Sequence, residues 1–297
     1  MIKQIKYPLA NCLKLINNIH NSILSSRYFP TIFNKGKLIF IHKTNPVNYR
    51  PICLIEHLRI FFERIIANRL NYYLEFHNSY SEKQFGFRQN RSPQHFITIL
   101  YDAILESHKQ GKVSLIATRD IEKAFDKVWH ESLVFKVNNL PDSNINFTSL
   151  IYQYIKSRII NPFFYNAIGP SFVLEAGVPE GSCLGPVLFT IFVNDYPNPV
   201  FNNSLTLQFA DDIVHLVISN CKGKHKIKEV KNKLETEANQ TETYEQNWKI
   251  ATNHNKSQIK PLGCKIQSLN KYEGIVINNQ TIKLNSSIKI LGYNFFS

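Results

Sequence analysis

The chain has 297 residues and a formal net charge of +13, and 43% of its side chains are apolar. This length and composition predict a globular protein with one large or two ordinary domains, and they exclude a disordered chain. The longest apolar runs fall short of the roughly 18 to 20 residues of a membrane span, so we expect no membrane insertion.

The positive charge is concentrated at the start of the chain. The first acidic residue is Glu56. Eight basic residues precede it, namely Lys3, Lys6, Lys14, Arg27, Lys35, Lys37, Lys43 and Arg50. An arm without acidic residues favours contact with a polyanion, because phosphates attract Lys and Arg and repel carboxylates. An amphipathic stripe from Leu9 to Ile23 leaves a mitochondrial presequence as the alternative.

Hydrophobic periodicity predicts the elements in chain order. The first half is predicted to contain a helix at 9–26, a strand at 37–43, helices at 51–76 and 95–111, and a strand that runs into Asp120. The second half is predicted to contain helices at 133–140, 145–158, 185–196 and 224–247, a strand at 170–178, a hairpin at 204–219, and short strands after Ile250. Single helices beside hairpins indicate an α+β fold.

Two of the predicted strands end in carboxylates. The stretch "SLTLQFADDIVHLVIS" places Asp211 and Asp212 at the tip of a hairpin, and "LIATRDIEKAFDKVWH" runs through a buried strand into Asp120. Three negative charges in one place are unfavourable unless cations neutralise them, and oxygen ligands favour Mg²⁺. We therefore predict a metal site for phosphoryl transfer, with a solvated turn as the simpler explanation of Asp211 and Asp212 alone.

The order of these segments resembles a known family. The matching blocks are "NYRPICLI", "EKQFGFRQNRS", "RDIEKAFDKVWH", "AGVPEGSCLGPVLF", "FADD", "NWKIATNHNKS" and "IKILGYNF". Over 27–297 the chain resembles the reverse transcriptases of non-LTR (LINE-like) retrotransposons of the jockey type. The resemblance implies a right-hand polymerase with fingers at about 27–114 and a palm at about 115–297, after a basic helical extension at 1–26. A metal-dependent nuclease remains a distant alternative.

The resemblance also implies an activity and its cofactors. The family copies an RNA template into DNA by adding dNTPs to a DNA primer with two Mg²⁺ ions, for which Mn²⁺ can substitute. Carried over by motif, Asp120, Asp211 and Asp212 are the catalytic metal ligands, and Ile121 offers a backbone carbonyl to the metal. The family's lifestyle implies an intracellular protein of the nucleus and cytoplasm, whereas the oligomeric state is left open.

Five further residues match nucleotide-binding positions of the family. Lys43 and Arg50 match finger residues that contact the triphosphate, with a solvated face as their alternative. Phe125 matches the gate against a 2′-hydroxyl, with core packing as its alternative. Lys256 matches a proton donor to pyrophosphate, and Glu180 lies beside the nucleotide pocket.

Outside the nucleotide pocket, Leu291 and Gly292 resemble the start of the primer grip. Asp126 and Trp129 are interpreted as structural residues.

The chain departs from the family pattern in three places. Glu180 replaces a Gln, and its charge should repel a triphosphate. Arg119 replaces an apolar residue in a buried strand, where an unpaired charge is unfavourable, so Arg119→Leu is expected to raise thermal stability. The sequence ends at "LGYNFFS", so the thumb is expected to be largely absent. These departures leave, as the alternative function, a truncated, catalytically silent remnant that folds and binds nucleic acid.

Overall fold

The computed structural model describes residues 10–42, 49–156, 158–164, 167–220, 226–263, 275–277, 280–282 and 284–296. The chain divides into two compact units that alternate along the sequence. The first unit comprises 1–79 and 128–192, and the second comprises 80–127 and 193–297. These units do not coincide with the predicted fingers and palm, whose boundaries stay a prediction.

Helices and strands are mixed along the described part of the chain, which confirms the predicted α+β class. The helices are α1 (Ala10–Ser26), α2 (His57–Phe76), α3 (Pro93–Lys109), α4 (His130–Asn138), α5 (Ile145–Ile155), α6 (Gly185–Phe192) and α7 (Lys226–Trp248). The strands are β1 (Lys35–His42), β2 (Tyr49–Leu54), β3 (Ser114–Asp120), β4 (Arg158–Phe164), β5 (Ala167–Ile168), β6 (Phe172–Leu174), β7 (Ser204–Phe209), β8 (Asp212–Ile218), β9 (Gln258–Leu262), β10 (Ile275–Ile277), β11 (Gln280–Ile282), β12 (Ser287–Ile290) and β13 (Tyr293–Phe296). None of these helices is both long enough and apolar enough to cross a bilayer.

The first unit is built on a mixed sheet in the order β2-β1-β4-β5, with β6 also paired to β4. A buried ion pair on α2 joins Arg59 to Glu63 at 2.6 Å, and the Tyr154 hydroxyl donates to the same carboxylate at 3.0 Å. The second oxygen of Glu63 accepts a hydrogen bond from the Cys183 amide at 3.0 Å. The loop before α6 is therefore anchored to α2 by a buried charge.

The predicted helix at 51–76 is wrong at its start. Residues Tyr49–Leu54 form a strand that pairs with β1, and α2 begins only at His57. Pro51 disfavours helical backbone at Arg50 and lacks an amide donor, but an edge strand tolerates it, and β2 is at the edge of the sheet. Pairing with β1 therefore decides the conformation of this segment.

The predicted helix at 145–158 ends earlier than expected. Helix α5 ends at Ile155, and β4 begins at Arg158 and pairs in parallel with β1. No local pattern marks this strand, because its partner lies more than a hundred residues away along the chain.

The second unit is built on an antiparallel sheet in the order β7-β8-β3-β9. One face packs against α3 and β12 through a cluster that includes Phe96, Leu100, Ile116, Val214 and Ile288. The other face packs against α7 through a cluster that includes Leu115, Ala117, Val217, Val230 and Leu234. The two clusters cover the middle of β3 and β8 on both faces of the sheet.

Arg119 is buried in β3 as the sequence predicted, but it is not unpaired. Its guanidinium donates to the Glu245 carboxylate of α7 at 2.7 Å and to the Thr252 hydroxyl at 3.1 Å. It also donates to the Thr241 hydroxyl. The expectation of an unpaired charge is therefore wrong, because α7 supplies the counter-charge.

This pairing reverses the expected effect of Arg119→Leu. Removing one partner of a buried ion pair leaves the other charge uncompensated, which lowers stability by about 3 to 5 kcal/mol. We expect urea unfolding to show a loss of this size for Arg119→Leu. The double variant Arg119→Leu/Glu245→Leu should recover most of it, since it removes both charges. A more stable Arg119→Leu protein would contradict the pairing.

Candidate active site

Asp211 and Asp212 lie at the turn of the hairpin formed by β7 and β8, as the sequence predicted. Phe209 pairs with Asp212 in the register of β7 and β8, which leaves Ala210 and Asp211 as the tip. Ala210 has a φ of 57°, in the left-handed region that an L-residue rarely adopts. The backbone therefore turns within two residues and delivers one carboxylate at the tip and one at the start of β8.

Asp120 lies next to this hairpin. It is the last residue of β3 and pairs directly with Asp212 in the antiparallel register. Residues that are directly opposite in such a ladder have Cβ atoms roughly 4.5 to 5.5 Å apart on the same face of the sheet. The structure thus brings together Asp120 and Asp212, which the sequence separates by 92 residues, with Asp211 adjoining them.

The electrostatics of the site follow from this proximity. Loss of water around the Asp212 carboxyl group, together with the negative charges of Asp211 and Asp120, raises its pKa from 3.8 to about 6. Lys256 opposes this shift. Its ammonium group donates to Asp120 Oδ2 at 3.0 Å, while its side chain stays 63% exposed. The site therefore gains stability from any cation that approaches the carboxylates.

The residues after Asp120 are held by a short backbone bridge. The Asn253 amide donates to the Asp120 carbonyl at 2.8 Å, and the Glu122 amide donates to the Ala251 carbonyl at 2.7 Å. Ile121, whose side chain is buried, lies between these two bonds, and neither of them uses its carbonyl oxygen.

The donor set suits a divalent cation that binds together with its substrate. Within the described residues, no three or more His, Cys, Asp or Glu side chains form a ready-made metal cluster. Mg²⁺ in phosphoryl-transfer sites uses only one or two carboxylates and completes its shell with water and substrate phosphates. The adjacent Asp120 and Asp212, with the charge of Asp211 beside them, provide such a partial, oxygen-only set.

A cleft of about 430 Å³ within the second unit opens onto the carboxylates. Asp120, Asp212, Lys256, Lys289 and Leu291 are among its lining residues. Both Leu291 (φ 48°) and Gly292 (φ 88°) adopt left-handed backbone at the turn between β12 and β13. The segment that resembles the primer grip is therefore a tight turn whose Leu291 lines the same cleft as the carboxylates.

The remaining nucleotide-binding candidates are placed as follows. Phe125 lies in the second unit, half-buried, with its ring edge-to-face with Phe87 at 6.0 Å. Glu180 lies in the loop before α6 of the first unit. Arg50 belongs to β2, opposite Ile41, and Lys43 falls outside the described residues.

Sequence reasoning missed Gln84, which is fully buried and whose side chain bonds to the backbone of Ala210 at the hairpin tip. In the sequence, the block "EKQFGFRQNRS" carries only a family resemblance. A Gln followed two residues later by Gly was the available signal, since that glycine permits a close backbone approach.

Comparison with known proteins identifies the family. The sequence profile described as "Reverse transcriptase (RNA-dependent DNA polymerase)" matches residues 41–295. The chain is 34% identical over 218 residues to the "Probable RNA-directed DNA polymerase from transposon BS" of Drosophila melanogaster. The matched region covers 68% of this chain and 23% of that relative. It is 29% identical over 299 residues to the "RNA-directed DNA polymerase from mobile element jockey" of the same species. This matched region covers 94% of this chain and 31% of that relative.

Solved structures show the same fold. The apo telomerase of Candida Tropicalis truncated from its C-terminal domain superposes with a TM-score of 0.57 at 12% identity, over 93% of this chain and 57% of that chain. The telomerase of Candida Tropicalis in complex with a fragment of telomeric RNA superposes with a TM-score of 0.54 at 13% identity, over 82% of this chain and 44% of that chain. At this identity the likeness concerns the fold alone.

The chain belongs to the reverse transcriptase (RNA-dependent DNA polymerase) family. Its resemblance to the jockey-type non-LTR enzymes is confirmed by the curated relatives. The chain spans less than a third of the length of these relatives. Members of the family generally depend on a divalent metal ion.

The raised pKa of Asp212 predicts that Asp212→Asn stabilises the folded protein, by an amount that depends on pH. A carboxyl group with a folded-state pKa near 6 and an ordinary value of 3.8 binds its proton more tightly in the folded state. Its ionisation therefore lowers the stability of the metal-free protein progressively between pH 3.8 and about 6, and the loss is complete above that range. Thermal melts of Asp212→Asn should show a higher melting temperature at neutral pH and a gain that vanishes as the pH falls towards 3.8.

The control for this prediction is Asp102→Asn, which removes an exposed carboxylate from α3. Its effect on the melting temperature should be small at every pH. Adding Mg²⁺ should raise the melting temperature of the wild type more than that of Asp212→Asn. An Asp212→Asn protein that is less stable than the wild type at neutral pH would contradict the loss of water and the charge repulsion that raise the pKa of Asp212.

Proposed function

We propose that this chain is the catalytic core of an RNA-directed DNA polymerase that transfers dNTPs onto a DNA primer. The observation that carries the proposal is the register of β3 and β8, which pairs Asp120 with Asp212 beside Asp211 at the hairpin tip, in a chain of the reverse transcriptase family. Carboxylates at adjacent strand ends suit nucleotidyl transfer, in which negative charge develops on the attacking and leaving oxygens.

The proposed cofactor is a pair of Mg²⁺ ions, for which Mn²⁺ can substitute. Asp120, Asp211 and Asp212 would hold them with the Ile121 carbonyl. Bound there, the ions would lower the pKa of the primer hydroxyl and would stabilise the negative charge on the leaving group.

The chain's own side chains complete the proposed chemistry. Lys256 is the candidate proton donor to pyrophosphate, and its hydrogen bond to Asp120 holds its ammonium group at the carboxylates. Phe125 is the candidate gate against a 2′-hydroxyl, supported on its edge by Phe87. Lys43 and Arg50 are assigned to the triphosphate, because cationic side chains match its charge and its hydrogen-bonding oxygens.

The proposed partners are an RNA template, a DNA primer and dNTPs. An RNA template is supported by the names of the curated relatives and by the telomerase of the same fold, whose structure contains a fragment of telomeric RNA. The eight basic residues before Glu56 add a polyanion-binding charge. From the lifestyle of the family we infer an intracellular protein that assembles with RNA in the cytoplasm and acts in the nucleus.

The test of this function is the extension of a DNA primer on an RNA template with Mg²⁺ or Mn²⁺. Wild-type protein should extend the primer only when the metal is present. Asp211→Ala should reduce extension to background because it removes one of the carboxylates, whereas Asp102→Asn should leave it unchanged. Absence of extension by folded wild-type protein that still binds RNA would favour the silent remnant instead.

The negative charge of Glu180 predicts that Glu180→Gln strengthens the binding of dNTPs. If Glu180 lies beside the triphosphate, as its motif position implies, its carboxylate repels the incoming nucleotide. Glu180→Gln should then lower the KM for dNTPs several-fold in steady-state extension. Glu175→Gln, which removes an exposed carboxylate five residues earlier, is the matched control. An unchanged KM for dNTPs in folded Glu180→Gln protein would show that Glu180 does not lie in the nucleotide pocket.

A further inference from the structure

Gln84 belongs to a segment that is fixed alongside β7. The Phe85 amide donates to the Gln208 carbonyl at 2.8 Å, and the Gln208 amide donates to the Lys83 carbonyl at 2.8 Å. These two bonds form a parallel bridge between Gln84 and Gln208. The backbone of Gln84 is thus held independently of its side chain, which is fully buried.

The Gln84 side chain binds both polar backbone groups of Ala210. Its carbonyl oxygen accepts from the Ala210 amide at 3.0 Å, and its amide nitrogen donates to the Ala210 carbonyl at 3.4 Å. The same oxygen accepts from the Gly86 amide at 2.8 Å. One neutral carboxamide therefore takes the place of a strand partner for the residue at the hairpin tip.

Ala210 needs this support because of its backbone conformation. Left-handed backbone is unfavourable by about 1 to 2 kcal/mol for an L-residue, and Ala210 has a φ of 57°. Ala210 immediately precedes Asp211 and Asp212. Its dihedral angles therefore set the direction in which the chain leaves the tip and where both carboxylates point.

Gly86 makes the close approach possible. A Cβ atom added at Gly86 would lie 2.3 Å from the Ala210 amide nitrogen and 3.0 Å from its Cα. Both atoms belong to the backbone, so neither can move aside at little energetic cost. The segment at 84–86 thus contacts the tip with a side chain and with bare backbone.

We propose that Gln84 is a positioning residue that holds the Asp211–Asp212 tip in the geometry required for catalysis, an inference that rests on the proposed polymerase function. Gln84 touches neither substrate nor metal in this role and acts through Ala210. A carboxamide is needed because Ala210 requires both an acceptor and a donor. Glu has the same shape, but its ionised form cannot donate and adds a negative charge near two carboxylates.

The variants that test this role are Gln84→Ala and Gln84→Glu, with Ser219→Ala as the matched control. The Ser219 hydroxyl accepts from the Val113 amide at 3.0 Å, at the opposite ends of β8 and β3. Ser219→Ala therefore leaves a buried backbone amide without its acceptor, as Gln84→Ala does, but far from the tip. General destabilisation should be similar in the two proteins.

The first measurement is hydrogen exchange of the metal-free proteins, read on peptides that cover 204–218. Gln84→Ala should speed exchange of the Ala210 and Asp211 amides, and Ser219→Ala should not. Gln84→Glu, which keeps the side-chain volume and an acceptor, should give intermediate exchange and remains informative if Gln84→Ala fails to fold.

The second measurement is primer extension as a function of Mg²⁺ and dNTP concentration. Loss of a residue that orients metal ligands lowers metal affinity or activity by about 10- to 100-fold. Gln84→Ala should therefore raise the Mg²⁺ concentration for half-maximal extension and lower kcat within that range, while the KM for dNTPs stays nearly constant. Ser219→Ala should match the wild type in both quantities.

The outcomes separate the two proposals. Unchanged exchange at the tip in a folded Gln84 variant would overturn the positioning role, as would an equal Mg²⁺ response in Gln84→Ala and Ser219→Ala. Wild-type protein that fails to extend any primer would overturn the polymerase function, while the exchange measurement would still decide whether Gln84 holds the tip.

Discussion

The second unit depends on one constraint: carboxylates that repel one another lie together, partly removed from water, where β3 ends and β8 begins. The register of β3 and β8 places Asp120 opposite Asp212, and the hairpin tip adds Asp211 beside them. Loss of water around the Asp212 carboxyl group, and then the charges of Asp211 and Asp120, raise its pKa to about 6. Two apolar clusters bury the middle of β3 and β8 on both faces of the sheet, and the pairing of the two strands continues up to Asp120 and Asp212. The fold thus holds these charges together at a loss of stability that a bound cation would offset.

The positive charge nearest in sequence does not offset this repulsion. Arg119 immediately precedes Asp120, but side chains alternate along a strand, so the two residues belong to opposite faces of the sheet. On its own face Arg119 is paired with Glu245 of α7 and bonded to Thr252. A charged residue can therefore occupy a buried position beside the site without neutralising it, provided that the other face supplies its partner.

Local patterns in the sequence predicted the parts of the fold that depend on local physics. The alternation of Leu205, Leu207 and Phe209 identified the hairpin, and the run into Asp120 identified the neighbouring strand. The start of α2 was predicted wrongly because pairing with β1 overrides the helical spacing after Pro51.

The contacts that the sequence could not reveal are those between distant segments. Glu245, the partner of Arg119, lies 126 residues further along the chain. Gln84 and Ala210 are also 126 residues apart. Neither pair leaves a periodic signal, because each depends on how separate elements pack and not on the spacing within one element. For the same reason, the sequence could suggest which residues carry charge at the site but not what holds them there.

Lys256 is the cation that the structure places at these carboxylates. Its hydrogen bond to Asp120 supplies positive charge where the repulsion is greatest, yet most of its side chain remains exposed. An exposed ammonium on a flexible stem can move a short distance without disturbing the core. A cation that neutralised Asp120 would remove the charge that attracts Lys256. The position of this ammonium group therefore depends on the charge of Asp120, so the occupancy of the carboxylates and the position of Lys256 would be coupled through one residue.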